Sequence, residues 1–152
     1  MPRDSRNFFQ VQVLQVGKWM EIDFDHSEFA YEGNDLKLSV RKVPEPYTLT
    51  DGAIIDMIGD INLYSAQAIT ALVDRLISSE KQKVFLNLSE VNYIDSSGLG
   101  AFISSQIKLK KMGGYLRLFS PSKSVAYVLT LTKLGNFLQI HEDFSTSIEN
   151  QP

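Results

Sequence analysis

From Ala53 onward the sequence alternates between short β-type apolar runs and longer stretches with apolar residues at helical spacing, and this alternation restricts the fold more than any other feature. Ala53 to Ile58 is almost continuously apolar, as a strand buried on both faces would be, and Gly59 is read as its end. Ala66, Ile69, Leu72, Val73, Leu76 and Ile77 then recur three and four residues apart, the spacing of a helix with one buried face. Val84 to Leu88 returns to the strand pattern, Leu99, Phe102, Ile103 and Ile107 form a second helical stripe, and Tyr115 to Phe119 is a further strand. Val125, Val128, Leu129 and Thr132 mark the inner side of a third helix. A short strand over Leu138 to His141 and a helical turn over Phe144 to Ile148 complete the chain. Helices interleaved with apolar strands favour an α/β fold with a largely parallel sheet. The unit from Val84 to Phe119 should cross over right-handed.

Ahead of this region, Leu36, Leu38 and Val40 alternate with polar residues and predict a strand over Leu36 to Val43, ended by Pro44 and Pro46, which cannot donate to a ladder. Asn62 or Ser65 can cap the first helix. Gly113-Gly114 stops the second, because glycine accepts the left-handed conformation at a helix end. Ser120 to Ser122 is a turn that can cap the third.

The first 35 residues differ in charge from the rest. They hold seven acidic and three basic residues, whereas the remainder is nearly balanced, and the turn-rich stretch Glu32-Gly33-Asn34-Asp35 marks the boundary. Phe9, Val11 and Val13, then Met20, Ile22 and Phe24, alternate with polar residues on either side of Gly17-Lys18, which reads as a β-hairpin or an arm that packs on a partner. The domain organisation is therefore read as an acidic N-terminal extension over 1–35 and one α/β domain over 36–148.

Several function classes are excluded or disfavoured. There is no cysteine, so disulfides, thiolate metal sites and cysteine nucleophiles are ruled out; the absence is neutral about compartment but fits a reducing cytosol, and a cytoplasmic setting is expected. No apolar run approaches the roughly 20 residues of a membrane helix, and Met1 to Gln10 lacks the apolar core of a secretory signal. The densest basic patch, Lys108, Lys110 and Lys111, reads as a solvated helix end rather than a nucleic-acid footprint. His26 and His141 with scattered carboxylates do not suggest a metal site, and no cofactor is expected.

The segment that carries chemistry is Tyr93-Ile94-Asp95-Ser96-Ser97-Gly98-Leu99-Gly100, between a buried strand and an amphipathic helix. The first N–H groups of a helix lack internal partners and, with the macrodipole, favour negative charge. A hydroxyl at Ser96 would stand at that end, and a phosphate on it would gain hydrogen bonds from the free amides. Gly98 and Gly100 would keep side chains from crowding it, and Asp95 adds a fixed negative charge. Asp-Ser-Ser before a helix is also a good N-cap cluster by itself, with Ser97 and Gly98 as capping residues. A hydrolase elbow is disfavoured: Ile94 stands where the glycine before the nucleophile belongs, and neither histidine is placed as a base. The Gly98-Leu99-Gly100 pair is not a dinucleotide fingerprint.

Asp95-Ser96-Ser97-Gly98-Leu99-Gly100, following Val84-Phe85-Leu86-Asn87-Leu88, resembles the signature of STAS-domain anti-sigma-factor antagonists. Gly59-Asp60-Ile61-Asn62-Leu63-Tyr64-Ser65-Ala66 and Lys110-Lys111-Met112-Gly113-Gly114 are similar to the same family, and the resemblance runs in matching order over 36–148. It implies a four- to five-stranded mixed sheet with helices mainly on one face. It also implies a non-catalytic switch: Ser96 is phosphorylated by a serine kinase that is also an anti-sigma factor, the unmodified protein binds that kinase and frees a sigma factor, and a phosphatase resets the system. The implied partner-binding residues are Asp60, Asn62, Asp95, Ser96, Ser97, Gly98 and Leu99. The family usually has an acidic residue where this chain has Asn62, so a partner arginine would lose a charged hydrogen bond there. An alternative with the same fold is a scaffold subunit of a signalling assembly or of a lipid-transport ATPase complex. In either case the segment from Phe8 to Phe24 could form a homodimer or docking element.

Overall fold

The computed structural model describes residues 18–20 and 28–149 of the chain. Among the described residues, seven strands form one sheet in chain order: β1 (Lys18–Trp19), β2 (Glu28–Glu32), β3 (Leu36–Arg41), β4 (Gly52–Ile61), β5 (Lys83–Ile94), β6 (Tyr115–Phe119) and β7 (Gln139–His141). The first four pair antiparallel and the last four parallel, so β4 is the pivot of a mixed sheet. Four α-helices follow β4, β5, β6 and β7: α1 (Leu63–Ser78), α2 (Ser96–Lys111), α3 (Lys123–Thr132) and α4 (Phe144–Glu149). The sheet exceeds the expected four or five strands because β2 pairs with β3 and β1 with β2, extending the antiparallel edge. The hairpin read around Gly17 lies mostly outside the described residues; within them, Lys18–Trp19 pairs with Tyr31–Glu32.

The topology fixes which face each helix covers. Successive parallel strands β4 to β7 are added in one direction, so right-handed crossovers send α1, α2 and α3 to the same face. Strand alternation then sorts the apolar side chains. Ala53, Ile55 and Met57 of β4, Val84, Leu86 and Leu88 of β5, and Leu116 and Leu118 of β6 join Leu72, Phe102 and Leu129 in the main core. Their neighbours Ile54, Phe85, Tyr115 and Phe119 point the other way, into a smaller core with Ile148 of α4. There Phe144 meets Phe85 at 5.2 Å and Phe119 at 5.3 Å between ring centroids, both near edge-to-face. Trp19 and Tyr31 are buried and pack as tilted rings with centroids 5.0 Å apart, with the Arg75 guanidinium of α1 over the Trp19 ring, so β1 and β2 contribute to the main core.

Three departures from the sequence pattern have physical causes. β4 does not stop at Gly59; it runs to Ile61 through Gly59 at φ +122, a conformation that glycine alone adopts freely, with a register shift beside it. A Cβ there would lie 2.1 Å from the backbone oxygen of Asp35, so the bare backbone is required. β5 runs on to Ile94 instead of ending at Leu88, its polar second half paired with β4 through Gly59–Val91 and Asp60–Tyr93. The ladder to β6 ends at Asn87–Phe119. Beyond it, Ser122 Oγ donates to the Val91 carbonyl at 2.6 Å and Ser124 Oγ to that of Asn92 at 3.0 Å, so serines at the start of α3 take over where β6 stops. On α2, Ile107 is exposed; the inner stripe uses Ser105 and Gln106, with Gln106 Oε1 accepting from Leu116 N at 2.7 Å.

Candidate functional site

The C-terminal ends of parallel strands are where an open α/β sheet gathers its loops and helix starts. Here β4 and β5 end side by side, Ile61 opposite Ile94, and Asp95 N donates to the Ile61 carbonyl at 3.2 Å. Each strand turns directly into a helix. Asn62 and Asp95 are the two N-caps, both extended, at φ −125 and φ −115.

Ser96 is the first helical residue of α2, and it is exposed. Asp95 is the cap, not Ser97 or Gly98: its Oδ1 accepts from Ser97 N at 2.9 Å and Gly98 N at 3.2 Å. The two amides that sequence reasoning left open for a phosphate are thus already satisfied by a carboxylate. An extended cap residue places its side-chain oxygen over the second and third amides, which Asp95 does and Ser97, already inside the helix, cannot. Gly98 has a different reason from the one inferred. A Cβ on it would lie 2.6 Å from Ile61 Cγ2 and 2.7 Å from Ile94 Cγ1, so glycine lets α2 start tight against the ends of β4 and β5. Gly100 is exposed with open space around it, and Leu99 is buried in the main core.

Asn62 forms a full capping box. Its Oδ1 accepts from Tyr64 N at 3.0 Å and Ser65 N at 3.1 Å, while Ser65 Oγ accepts from Asn62 N at 2.8 Å and donates to the Asp60 carbonyl at 2.8 Å. Its Nδ2 is left to donate to Asp35 Oδ2 at 3.0 Å, in the turn between β2 and β3. Asp60 is half-buried beside Tyr93 of the neighbouring strand. Three large apolar side chains surround these caps without cover: Leu63 is 59% exposed, Tyr64 68% and Tyr93 50%. Leu63 and Tyr64 directly follow the Asn62 cap in the chain, and Tyr93 precedes the Asp95 cap by two residues.

His141 lies far from Ser96. It is on β7 with β6 between it and β5, beside Arg117. Burial first, and the Arg117 charge second, lower its pKa. His26 lies outside the described residues. Among the described residues, no group of three His, Asp or Glu side chains could hold a metal ion, and no helix is long and apolar enough to cross a membrane.

The STAS domain family matches residues 44–147. The chain belongs to the STAS-domain family. Over 106 residues, 68% of this chain and 94% of the relative, it is 32% identical to a candidate anti-sigma factor antagonist of Thermotoga maritima. Over 88 residues, 57% of this chain and 78% of the relative, it is 32% identical to the anti-sigma-B factor antagonist of Bacillus subtilis. The solved structure of TM1081 superposes with a TM-score of 0.60 at 30% identity, covering 72% of this chain and 89% of that one. The unphosphorylated form of the anti-sigma factor antagonist SpoIIAA shares the fold, with a TM-score of 0.57 at 21% identity over 68% of this chain and 90% of that one.

The STAS match begins after β3, so Asp35 and the turn that holds it lie outside the matched segment. Of the seven residues expected to bind a partner, Asp60, Asn62, Asp95, Ser96, Ser97 and Gly98 lie on adjacent junctions, whereas Leu99 turns into the main core because it falls on the inner stripe of α2. Asp35, Leu63, Tyr64 and Tyr93 were not among them. The last three carried a signal: apolar residues outside the helical and strand stripes, next to the caps.

Proposed function

We propose that this protein is an anti-sigma factor antagonist whose binding is gated by phosphorylation of Ser96. In its unmodified form it binds an anti-sigma-factor serine kinase and so regulates sigma-factor-dependent transcription. The kinase transfers a phosphoryl group to Ser96 Oγ and a phosphatase removes it. The protein acts by binding, without catalysis of its own, and it works in the cytoplasm. Residues 36–148 are the switch domain and residues 1–35 an extension of it. The family match over 44–147 and the relatives' identity as antagonists support this reading.

The observation that carries it is the placement of Ser96: an exposed hydroxyl on the first residue of α2, amid the uncovered Leu63, Tyr64 and Tyr93. The switch follows from the charge there. A phosphate adds about −1.5 to −2 charges at neutral pH. It arrives beside Asp95, whose carboxylate has already taken the Ser97 and Gly98 amides, so it meets repulsion and few free donors. A partner seated on the apolar patch would have to desolvate that dianion without pairing it, a cost of several kcal/mol per ion. Binding is lost with the fold intact.

The test is phosphoryl transfer from ATP by an anti-sigma-factor serine kinase captured with the unmodified protein, followed by mass spectrometry of the intact protein and its peptides. One phosphate on the parent at Ser96 and none on Ser96→Ala is the expected result. Equal modification of Ser96→Ala would refute the assignment.

A further inference from the structure

We propose that the turn between β2 and β3 is part of the partner-docking surface, with Asp35 as a specificity-determining residue that reads a basic side chain of the kinase; this rests on the Ser96 reading above. The turn is bolted to the site at two points. Asp35 O accepts from Asp60 N at 2.8 Å, and Asp35 Oδ2 accepts from Asn62 Nδ2 at 3.0 Å. Glycine at position 59 allows this approach, since a Cβ there would collide with the Asp35 carbonyl. The side-chain amide of Asn62 can hold the Asp35 carboxylate in place; a carboxylate at position 62 would repel it.

Along the edge, Asp35 at the start of β3, Asn62 at the end of β4 and Asp95-Ser96 at the end of β5 stand in order on three neighbouring strands. Two strand spacings separate the outer members, roughly 10 Å. A standard protein interface covers about 800 Å² per partner, a disc of about 16 Å radius. A partner centred on Ser96 therefore reaches Asp35. The exposed Leu63 and Tyr64 directly follow Asn62, the middle member of the row, whereas on the side of β6 the start of α3 presents the exposed Lys123. The charge and the apolar cover both favour a footprint shifted toward Asp35, and hence a partner surface that sets a basic side chain beside an apolar one. Asn62 serves as a positioning residue for Asp35.

The experiment measures Kd and the KM and kcat of Ser96 phosphorylation with the purified kinase, at low and high salt, for the full-length parent, Asp35→Asn and Asp35→Lys. Thermal melting checks the fold. Asp35→Lys should raise Kd and KM ten- to a hundredfold with kcat unchanged. Asp35→Asn, which keeps a hydrogen-bond acceptor for Asn62, should raise both severalfold and flatten their salt dependence. A photo-crosslinking residue at Asn34 should couple to the kinase, and one at Lys133 should not. If the parent is phosphorylated at Ser96 and both Asp35 variants match it in KM and salt dependence, the inference is wrong while the Ser96 reading stands. If the kinase neither binds nor modifies the parent, the Ser96 reading falls and the inference with it.

Discussion

Arg117 Nη1 donates to the backbone carbonyl of Ser147 at 2.6 Å, joining the middle of β6 to the last turn of α4. Carbonyls in a last helical turn have no partner within the helix, so a cation from the sheet fills a real vacancy. The same guanidinium donates from Nε to Gln139 Oε1 at 2.8 Å and lies 3.8 Å from the centre of the Tyr115 ring. Burial lowers its pKa, against a smaller opposing effect of Tyr115. The charge is met by oxygens and a ring face, and that is what clamps α4 over Phe85 and Phe119.

Arg117→Ala should therefore be costly out of proportion to one hydrogen bond. It leaves the Ser147 carbonyl and the Gln139 side chain unpaired beside a cavity, a loss of about 2–4 kcal/mol. Urea unfolding measures it, and Arg117→Met, which refills the volume without the donors, should recover part of the loss. A stability of Arg117→Ala within 0.5 kcal/mol of the parent (the usual scatter of surface substitutions) would show that α4 docks without this clamp.

His141 should make stability fall in mild acid. Burial, then the Arg117 charge, place its folded-state pKa below the unfolded value of 6.5, with Asp143 opposing weakly. The unfolded chain thus binds more protons in that range, and stability rises with pH there. The contribution is complete above about pH 6.5 and is lost as pH falls toward the folded-state pKa. His141→Asn should flatten the stability profile between the two values, read by denaturant titration at a series of pH values. An unchanged slope would remove His141 as the cause.

Gly98→Ala should destabilise the junction on which Ser96 stands. Its methyl group would press on Ile61 and Ile94, both buried, at distances no real Cβ tolerates, so α2 must lift or the strand ends must shift. Overpacking of this kind costs about 1–3 kcal/mol. Gly100→Ala, where nothing lies within 4 Å, should instead be neutral or slightly stabilising through helix propensity. Melting temperatures that fall equally for the two variants would contradict this account.

Ser96→Asp should weaken kinase binding less than a phosphate does, because it brings one charge instead of nearly two. A loss of about tenfold for Ser96→Asp against at least a hundredfold for phospho-Ser96, with Ser96→Ala binding like the parent, is the expected order by calorimetry. Tight binding of the phosphorylated form would mean that the charge beside Asp95 is not the gate.

Much of the fold was legible because burial imprints a period on sequence. Tyr115–Phe119 is a strand with the limits read from its residues, and the stops at Gly113-Gly114 and the cap at Ser122 also hold. The second half of β5 was not legible. Ser89, Glu90, Asn92 and Tyr93 are exposed, and only the ladder to β4 and two serines from α3 make the segment a strand. Ile107 misled for a related reason: Ser105 and Gln106 took inner positions because Gln106 pairs with the backbone of β6.

Local windows carried the alternation of strands and helices from Leu36 onward and the serine string at a helix start, since each depends on neighbouring residues, whereas β2 and the face that α1, α2 and α3 share followed from the strand order. The tertiary structure decided that Asp95 takes the amides of Ser97 and Gly98 and that Gly98 is shaped by Ile61. It also decided that Asp35, 27 residues from Asn62, meets it at the rim. Such pairings depend on strand register and helix approach, which arise only when separated segments pack, and no local period records them.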